Sequence, residues 1–396
     1  MGILFRLREL ARHGIRVRLL AVHLPEEDVE RCLLQDWCED VVTVMRPRKG
    51  SQLWRHPHLP YGVASRYLPA LRQALSSTLA VAAPDVVHLE QTQMGPYWRD
   101  VPPSIPLLLG VHNLEHRTMY AQARSLKADP RALLYWAEGA RMAVFERSLF
   151  GRARLDGLVF VSREERLWVQ RAFPRLAARC ADLPPGCDVP PQPGDLSCRP
   201  LALGFVGGLW FHNNIDGLLW FLHDVWPRVR RRLPEAIFRV AGRGASQELE
   251  ASLQAIEGVE YIGPVPEVRS VYDSVRAVVL PIRYGAGVKV KTIEALGTGL
   301  PCVGTTESFA GIGVSGANCC LMADDPEGLA ADCVAVLLDP VRGRAIGQRA
   351  RTLVEKELSW TVIGERYVAA LERIARQEPL APVGDAPSAG LGLAAR

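Results

Sequence analysis

The sequence predicts an α/β protein built of two doubly wound domains that face a cleft. Short apolar runs such as Leu107-Leu108-Leu109, Leu158-Val159-Phe160 and Ala277-Val278-Val279-Leu280 alternate with amphipathic helical stretches along most of the chain, which is the order of parallel strand–helix–strand units. These runs are continuous rather than alternating, as strands buried on both faces are. A segment rich in proline, glycine and serine, Pro190 to Pro200, divides the chain into two halves of similar pattern.

Bulk properties fit this and exclude several classes. At 396 residues the chain is long enough for two or three domains of roughly 150 residues each. Hydrophobic residues make up 48% and charged ones 23%, ordinary for a protein with sizeable cores. A net charge of +4 is too weak a basic bias to suggest nucleic acid, though it suits anionic substrates or loose attraction to an anionic membrane. No apolar run reaches transmembrane length, and Met1-Gly2-Ile3-Leu4-Phe5 leads straight into Arg6 and Arg8, unlike a secretory signal. Nine cysteines without a Cys-x-x-Cys pair point to reduced thiols rather than zinc or a disulfide framework.

In the first half, residues 3–13 read as a helix closed by Gly14, and Ile15 to Val22 as a strand. Arg46-Pro47-Arg48-Lys49-Gly50 and His56-Pro57-His58 read as loop. A helix from Ser65 to Ala82 leads to the short strand Pro84-Asp85-Val86-Val87-His88-Leu89-Glu90, where His88 fits a core position. The next strand, Ile105 to Val111, delivers His112-Asn113-Leu114-Glu115-His116 at its carboxyl end, where parallel sheets bind ligands. A long helix over residues 130–150 and the strand Leu155 to Val161 follow, and Ser162 caps the helix beginning at Arg163.

The second half opens on Leu201 to Val206, a strand followed by Gly207-Gly208 and a helix that Asn214 is placed to cap. Pro227 ends or kinks that helix, and Arg228 to Arg232 is exposed. Ala236 to Ala241 is a strand, and Ser246 caps the helix after it. The densest signal is Gly285-Ala-Gly-Val-Lys-Val-Lys-Thr-Ile-Glu294-Ala-Leu-Gly297-Thr-Gly299-Leu-Pro301. It runs from a strand through a glycine turn into a helix starting near Val288, and on to the strand at Leu300. A helix start after glycines offers free N–H groups and a positive dipole end to phosphate. Lys289 and Lys291 stand in the first turn, where cations are poorly placed unless an anion arrives. Glu294 carries two acceptor oxygens suited to a vicinal diol; its bland alternative is a helical ion pair with Lys291.

Gly-x-Gly-x-Lys-x-Lys-x-x-Glu-Ala-Leu-x-x-Gly-x-Pro resembles the donor-binding signature of family 4 glycosyltransferases, a nucleotide-sugar-dependent group with the GT-B fold, and looks closest to bacterial sugar transferases. Pro84-Asp85-Val86-Val87-His88, Val161-Ser162 and Pro184-Pro185-Gly186-Cys187-Asp188 are similar to further landmarks. The resemblance spans roughly residues 3–375 and is more specific in the second half. It implies two Rossmann-like domains, residues 1–190 for the acceptor and 198–358 for the donor, a helix over 361–376 crossing back to the first, and a disordered tail over 378–396. It also implies that the first strand and its Gly-Gly loop are missing before Gly14-Ile15-Arg16-Val17. The family's second motif glutamate is Ala286 here, and its diphosphate-gripping Arg and Lys are Gly208 and Asn213 or Asn214.

By resemblance, Glu294 holds the ribose and His112 orients the sugar or acceptor. Glu115 and Arg117 stand as acceptor contacts. Lys289, Lys291 and Arg283 are candidates for the diphosphate, and Gly207, Gly208, Gly285 and Gly287 let the backbone approach it. The implied reaction is retaining transfer from a nucleotide-diphosphate sugar, a co-substrate rather than a cofactor. The acceptor is a lipid-linked sugar, a polysaccharide or a small molecule. The setting is cytoplasmic or peripheral at the inner face of the membrane, in cell-surface polysaccharide or glycolipid synthesis. No Asp-x-Asp occurs, so the usual carboxylate clamp for a divalent metal is absent. A sugar-nucleotide epimerase and a degenerate, non-catalytic binding protein are the rival readings. A nicotinamide dehydrogenase lacks its Gly-x-Gly-x-x-Gly after a first strand.

Overall fold

Proline and glycine set where the strands begin and end. The computed structural model describes residues 2–24, 34–46, 56–126, 129–285, 287–314 and 318–380. The basic loop residues 47–50, Ala286 and the tail beyond 380 lie outside these. Two units are present: Met1–Pro184 with Gly364–Arg396, and Pro185–Ile363.

The first unit holds β1 (Arg18–His23) and β2 (Asp40–Met45), paired in parallel. It also holds a parallel sheet in the order β3 (Val87–Glu90), β4 (Leu107–Val111), β5 (Gly157–Phe160), β6 (Cys180–Asp182). The helix Gly2–Arg12 ends in a left-handed Gly14, with Ile15 N–H donating to Leu10 O at 3.0 Å, a Schellman closure. That turn consumes Gly14 to Val17, so the strand expected from Ile15 starts at Arg18. β4 starts after Pro106, which has no N–H for the ladder. The helix expected from Ser65 starts at Pro69, at its favoured first position. Ser162 caps its helix as expected, accepting from Glu165 N. The core of this unit is Leu107, Leu109, Val111, Leu114, Phe150, Leu158 and Phe160 with their neighbours.

The second unit is one six-stranded parallel sheet in the order β12 (Leu321–Met322), β11 (Cys302–Gly304), β10 (Ala277–Leu280), β7 (Ala202–Val206), β8 (Ile237–Ala241), β9 (Val259–Gly263). The chain enters at the centre with β7, builds β8 and β9 to one side, then returns to lay β10 against β7's other edge. The loops leaving β7 and β10 therefore diverge at a topological switch point, where open α/β sheets bind ligands. The helix before Pro227 passes through a π-turn, Phe221–Val225, and continues from Trp226 with Pro227 in the first turn of its last segment, where a missing N–H costs least. Phe205, Phe221, Trp226 and Phe238 fill one face of the sheet, and Ile293, Leu296, Leu300 and Leu358 the other.

Candidate functional site

Both loops of the second unit's switch point carry the glycines and lysines singled out by sequence. Gly207-Gly208 leaves β7, and residues 281–289 leave β10. Gly285 and Gly287 adopt φ of +148° and +74°, open to glycine and strained for other residues. The helix they lead into is Val290–Gly297, so Lys289 is its N-cap and only Lys291 lies in the first turn. Gly299, at φ +78°, follows its end.

Asn214 does not cap its helix. The helix starts at His212 with Phe211 as N-cap, which turns Asn214 inward. Its amide nitrogen donates to Gly208 O at 2.8 Å, and its oxygen accepts from Lys291 Nζ at 2.7 Å. The ammonium also lies 4.9 Å from the centre of the Phe205 ring. Among the described residues no carboxylate pairs with it. Burial, and then neighbouring Lys289, push Lys291 down to about 7. Lys289 itself is ion-paired with Glu307 and donates to Gly285 O at 3.4 Å. Glu294 is half-buried and makes no hydrogen bond or ion pair among the described residues; burial raises its pKa. The ion pair with Lys291 does not form, because Lys291 is turned to Asn214. Arg283 stands apart from this group, 3.7 Å from Asp216 and stacked 5.4 Å over Trp220.

The glycine loops are tightly seated. A Cβ on Gly242 would stand 2.0 Å from Gly207 O, and one on Gly207 would stand 3.1 Å from the Asn214 amide. Gly242→Ala is therefore expected to displace the Gly207-Gly208 loop and destabilise the protein by about 1–3 kcal/mol, the usual cost of overpacking. Chemical denaturation measures this.

In the first unit the carboxyl ends of β3 and β4 bring Glu90 to His112. Glu90 Oε1 takes both the Arg6 guanidinium and His112 Nε2, and Arg6 Nη2 lies 3.1 Å from His112 Nε2. His88 Nε2 stands 3.1 Å from Glu90 Oε2, and its Nδ1 meets the Tyr367 hydroxyl. Burial works against the Glu90 carboxylate, yet Arg6, His88 and His112 together hold it well below the usual carboxylate range. Burial pushes His88 down to about 4, against the pull of Glu90. A Cβ on Gly110 would fall 2.9 Å from His88 Nε2 and 3.0 Å from Glu90 Oε2, so glycine there is what admits the pair. Gln91, directly after Glu90, holds φ +76°, a strained non-glycine geometry of the kind that clusters at functional sites.

The loop after His112 is pinned by carboxylates. Leu114 N–H donates to Glu165 at 3.0 Å and Glu115 N–H to Glu146 at 2.8 Å, while His116 Nδ1 meets Glu146 at 2.5 Å. Glu115 is partly buried, which raises its pKa. Arg117 is exposed, 4.9 Å over the Trp168 ring. Arg6, Glu90, Tyr367 and Glu307 escaped the sequence reading. Arg6 and Tyr367 lie 84 and 277 residues from Glu90, and only the topology brings them to it. No group of three or more His, Cys, Asp or Glu among the described residues is arranged to hold a metal.

Residues 200–339 match the family model for glycosyl transferases group 1. Across 93% of this chain the fold matches sucrose-phosphate synthase from Thermosynechococcus elongatus, covering 91% of that chain at TM-score 0.66 and 16% identity. The chain has the GT-B glycosyltransferase fold. The Anabaena protein HepE, solved in complex with UDP and glucose, shares it at TM-score 0.61 and 13% identity, over 94% of this chain and 95% of that one. In sequence, a stretch of 128 residues is 30% identical to an uncharacterized 44.6 kDa protein of the cps region of Klebsiella pneumoniae, 31% of this chain and 33% of that one. The match thus spans about a third of that relative's length. Within the GT-B fold, the group 1 match falls on the unit that carries Lys291 and Glu294.

Proposed function

We propose that the chain is a retaining family 4 glycosyltransferase that moves a sugar from a nucleotide-diphosphate sugar to an acceptor hydroxyl, in cell-surface polysaccharide or glycolipid synthesis. One observation carries it. The Lys291 ammonium is buried at the switch point against a neutral amide and an aromatic ring, with no anion among the described residues to meet it. A desolvated cation beside two glycine loops and a helix N-terminus suits a diphosphate. The UDP and glucose of the HepE complex support the donor class, and the cps region of the Klebsiella relative supports polysaccharide synthesis.

In this reading Lys291 and the N–H groups of Gly208, Gly285 and Gly287 take the diphosphate, while Gly207, whose own N–H donates to Ala241 O at 3.1 Å, lets the backbone come close to it. Lys289 joins them by exchanging Glu307 for phosphate, and Glu294 takes the ribose. His112 orients the transferred sugar or the acceptor, with Glu115 and Arg117 on the acceptor side; Arg283, 3.7 Å from Asp216, would reach the diphosphate by leaving that partner. The acceptor oxygen bonds to the anomeric carbon on the side from which the phosphate oxygen departs, and its proton passes to the departing phosphate. Lys291 and the helix dipole stabilise that leaving charge without a metal. The acceptor is a lipid-linked sugar, a polysaccharide or a small molecule, met in the cytoplasm or at the membrane's inner face.

Thermal shift against UDP, GDP, ADP and their sugars tests this. A ligand at 100 times its Kd stabilises by about 2.7 kcal/mol, so one nucleotide is expected to raise Tm, and Glu294→Ala to remove most of that rise. If no nucleotide raises Tm, the donor site is wrong. A shift with no transfer to any acceptor would instead favour the non-catalytic binder.

A further inference from the structure

Two large aromatics stand in solvent on a loop of the second unit's switch point. Leu209 is buried in the core, and its N–H donates to Arg243 O at 2.7 Å, which stitches the loop leaving β7 to the loop leaving β8. The next two residues, Trp210 and Phe211, are 58% and 54% exposed, with ring centres 5.3 Å apart. The indole is nonetheless seated. A Cβ on Gly208 would stand 3.0 to 3.1 Å from Cε2, Cζ2 and Cη2, three successive atoms of its six-membered ring. Near-equal distances to three successive atoms put Gly208 against the face of the ring, because an approach in the ring plane would favour one atom. A Cβ on Gly244 would stand 2.7 Å from Cε3. Glycine at 208 and 244 therefore lets one face of the indole rest on backbone, and the other face accounts for its exposure. Adjoining exposed rings of this kind mark a binding surface.

The neighbours decide what stacks there. Phe211 N–H donates to Gly208 O at 3.3 Å, the oxygen that also takes the Asn214 amide, and Asn214 in turn holds Lys291. The exposed rings thus adjoin the place assigned above to the diphosphate. Glu294, assigned to the ribose, lies the other way. Its electrostatic neighbours are Tyr272 and Cys187, in the core on the opposite face of the sheet from Leu209. Ribose and base on that side of Lys291 leave Trp210 to the other end of the donor. That end is a sugar, and the acceptor meets it there. A pyranose carries a flat patch of weakly positive C–H groups that matches the negative face of an indole. Its hydroxyls need polar groups at the rim. The indole N–H and the side chains of Asn213 and Arg243 make no hydrogen bond or ion pair among the described residues and can supply them.

We propose that Trp210 and Phe211 form a stacking platform for a sugar ring at the far end of the diphosphate, on the transferred sugar or on the acceptor. The inference rests on the donor reading and adds a sugar subsite to it. Calorimetric titration of the full chain, Trp210→Ala and Trp210→Phe tests it, with Tm as the check on folding. The probes are UDP, GDP and ADP, then UDP-glucose, UDP-galactose, GDP-mannose and ADP-glucose, then methyl glucoside, galactoside and mannoside added to the nucleotide-saturated chain. Trp210→Ala is expected to leave bare nucleotide affinity unchanged and to weaken a sugar probe by about three- to tenfold. Trp210→Phe, which keeps a ring, is expected to restore most of that loss. A loss confined to the nucleotide sugars assigns the platform to the transferred sugar, and one confined to the glycosides assigns it to the acceptor. Equal weakening of the bare nucleotide would mean that the indole stacks on the base or braces the loop, and overturns the proposal. So do sugar probes that Trp210→Ala leaves unmoved while the nucleotide binds. If no nucleotide binds the natural chain, the donor reading falls and this inference with it.

Discussion

Lys291→Met is expected to lower kcat/KM for the sugar donor by about 10²- to 10³-fold, the cost of losing one preorganised donor aimed at developing charge. The same substitution is expected to make the unliganded protein more stable. Burial, with Lys289, holds the Lys291 pKa near 7 against an ordinary 10.5. Below pH 7 the folded state carries the full penalty of a desolvated ammonium. Between pH 7 and 10.5 the unfolded chain binds more protons than the folded one, so stability rises with pH through this window. Methionine removes the penalty, so its stabilising effect is largest below pH 7 and fades as pH rises through the window. Denaturant titrations at pH 6 and pH 9 read this. Equal or lower stability of the variant at pH 6 would show that Lys291 is already compensated in the resting protein, and the case for a waiting phosphate site would lose its basis.

Glu90→Gln is expected to destabilise the protein by about 3 kcal/mol, because Arg6 would be left buried without its counter-charge. Glu90 is held below its ordinary range in the folded protein, so its contribution is present above the unfolded carboxylate value and is lost as pH falls through the folded one. His88 adds acid sensitivity of its own. With its folded value near 4 against 6.5, the unfolded chain takes up the proton first, and stability falls as pH drops from about 6.5 to 4. If His112 contacts the reacting sugar, His112→Ala is expected to cost about 10²- to 10⁴-fold in kcat, the range for a positioned imidazole. Glu90→Gln, which leaves the imidazole in place and removes the charge that Arg6, His88 and His112 share, is expected to change the pH profile of kcat more than KM. A loss in both variants that follows Tm alone would assign the cluster a structural role.

The fold was legible because its signals are local. Continuous apolar runs gave β4, β5 and β10 where they stand, and Ser162 and Ser246 capped the helices they precede. Boundaries were displaced where a turn consumed residues, as Gly14 to Val17 did ahead of β1. The glycine and lysine stretch announced a phosphate-suited loop, and the structure brings Lys291, Asn214 and Gly208 together there. What stayed hidden was pairing. Glu307 on Lys289, Asp216 on Arg283 and Glu90 on His112 join the ends of neighbouring strands, and those side chains meet only once the sheet is laid down. A capping residue and an inward-facing asparagine look alike in sequence, which is why Asn214 was expected at the helix start. Asn214 stands three residues past the N-cap Phe211, and no local propensity fixes that register.

The decisive measurement is calorimetric titration of the chain and of Lys291→Met with UDP, GDP and ADP at pH 8, in two buffers of different ionisation enthalpy. At pH 8 most Lys291 is neutral in the free protein, and a diphosphate would draw a proton onto it. One nucleotide is expected to bind the natural chain with net proton uptake, seen as a buffer-dependent heat, and the variant is expected to bind weakly with no such dependence. Nucleotide binding that is equally tight in the variant, with a heat independent of buffer, would contradict the placement of the diphosphate at Lys291.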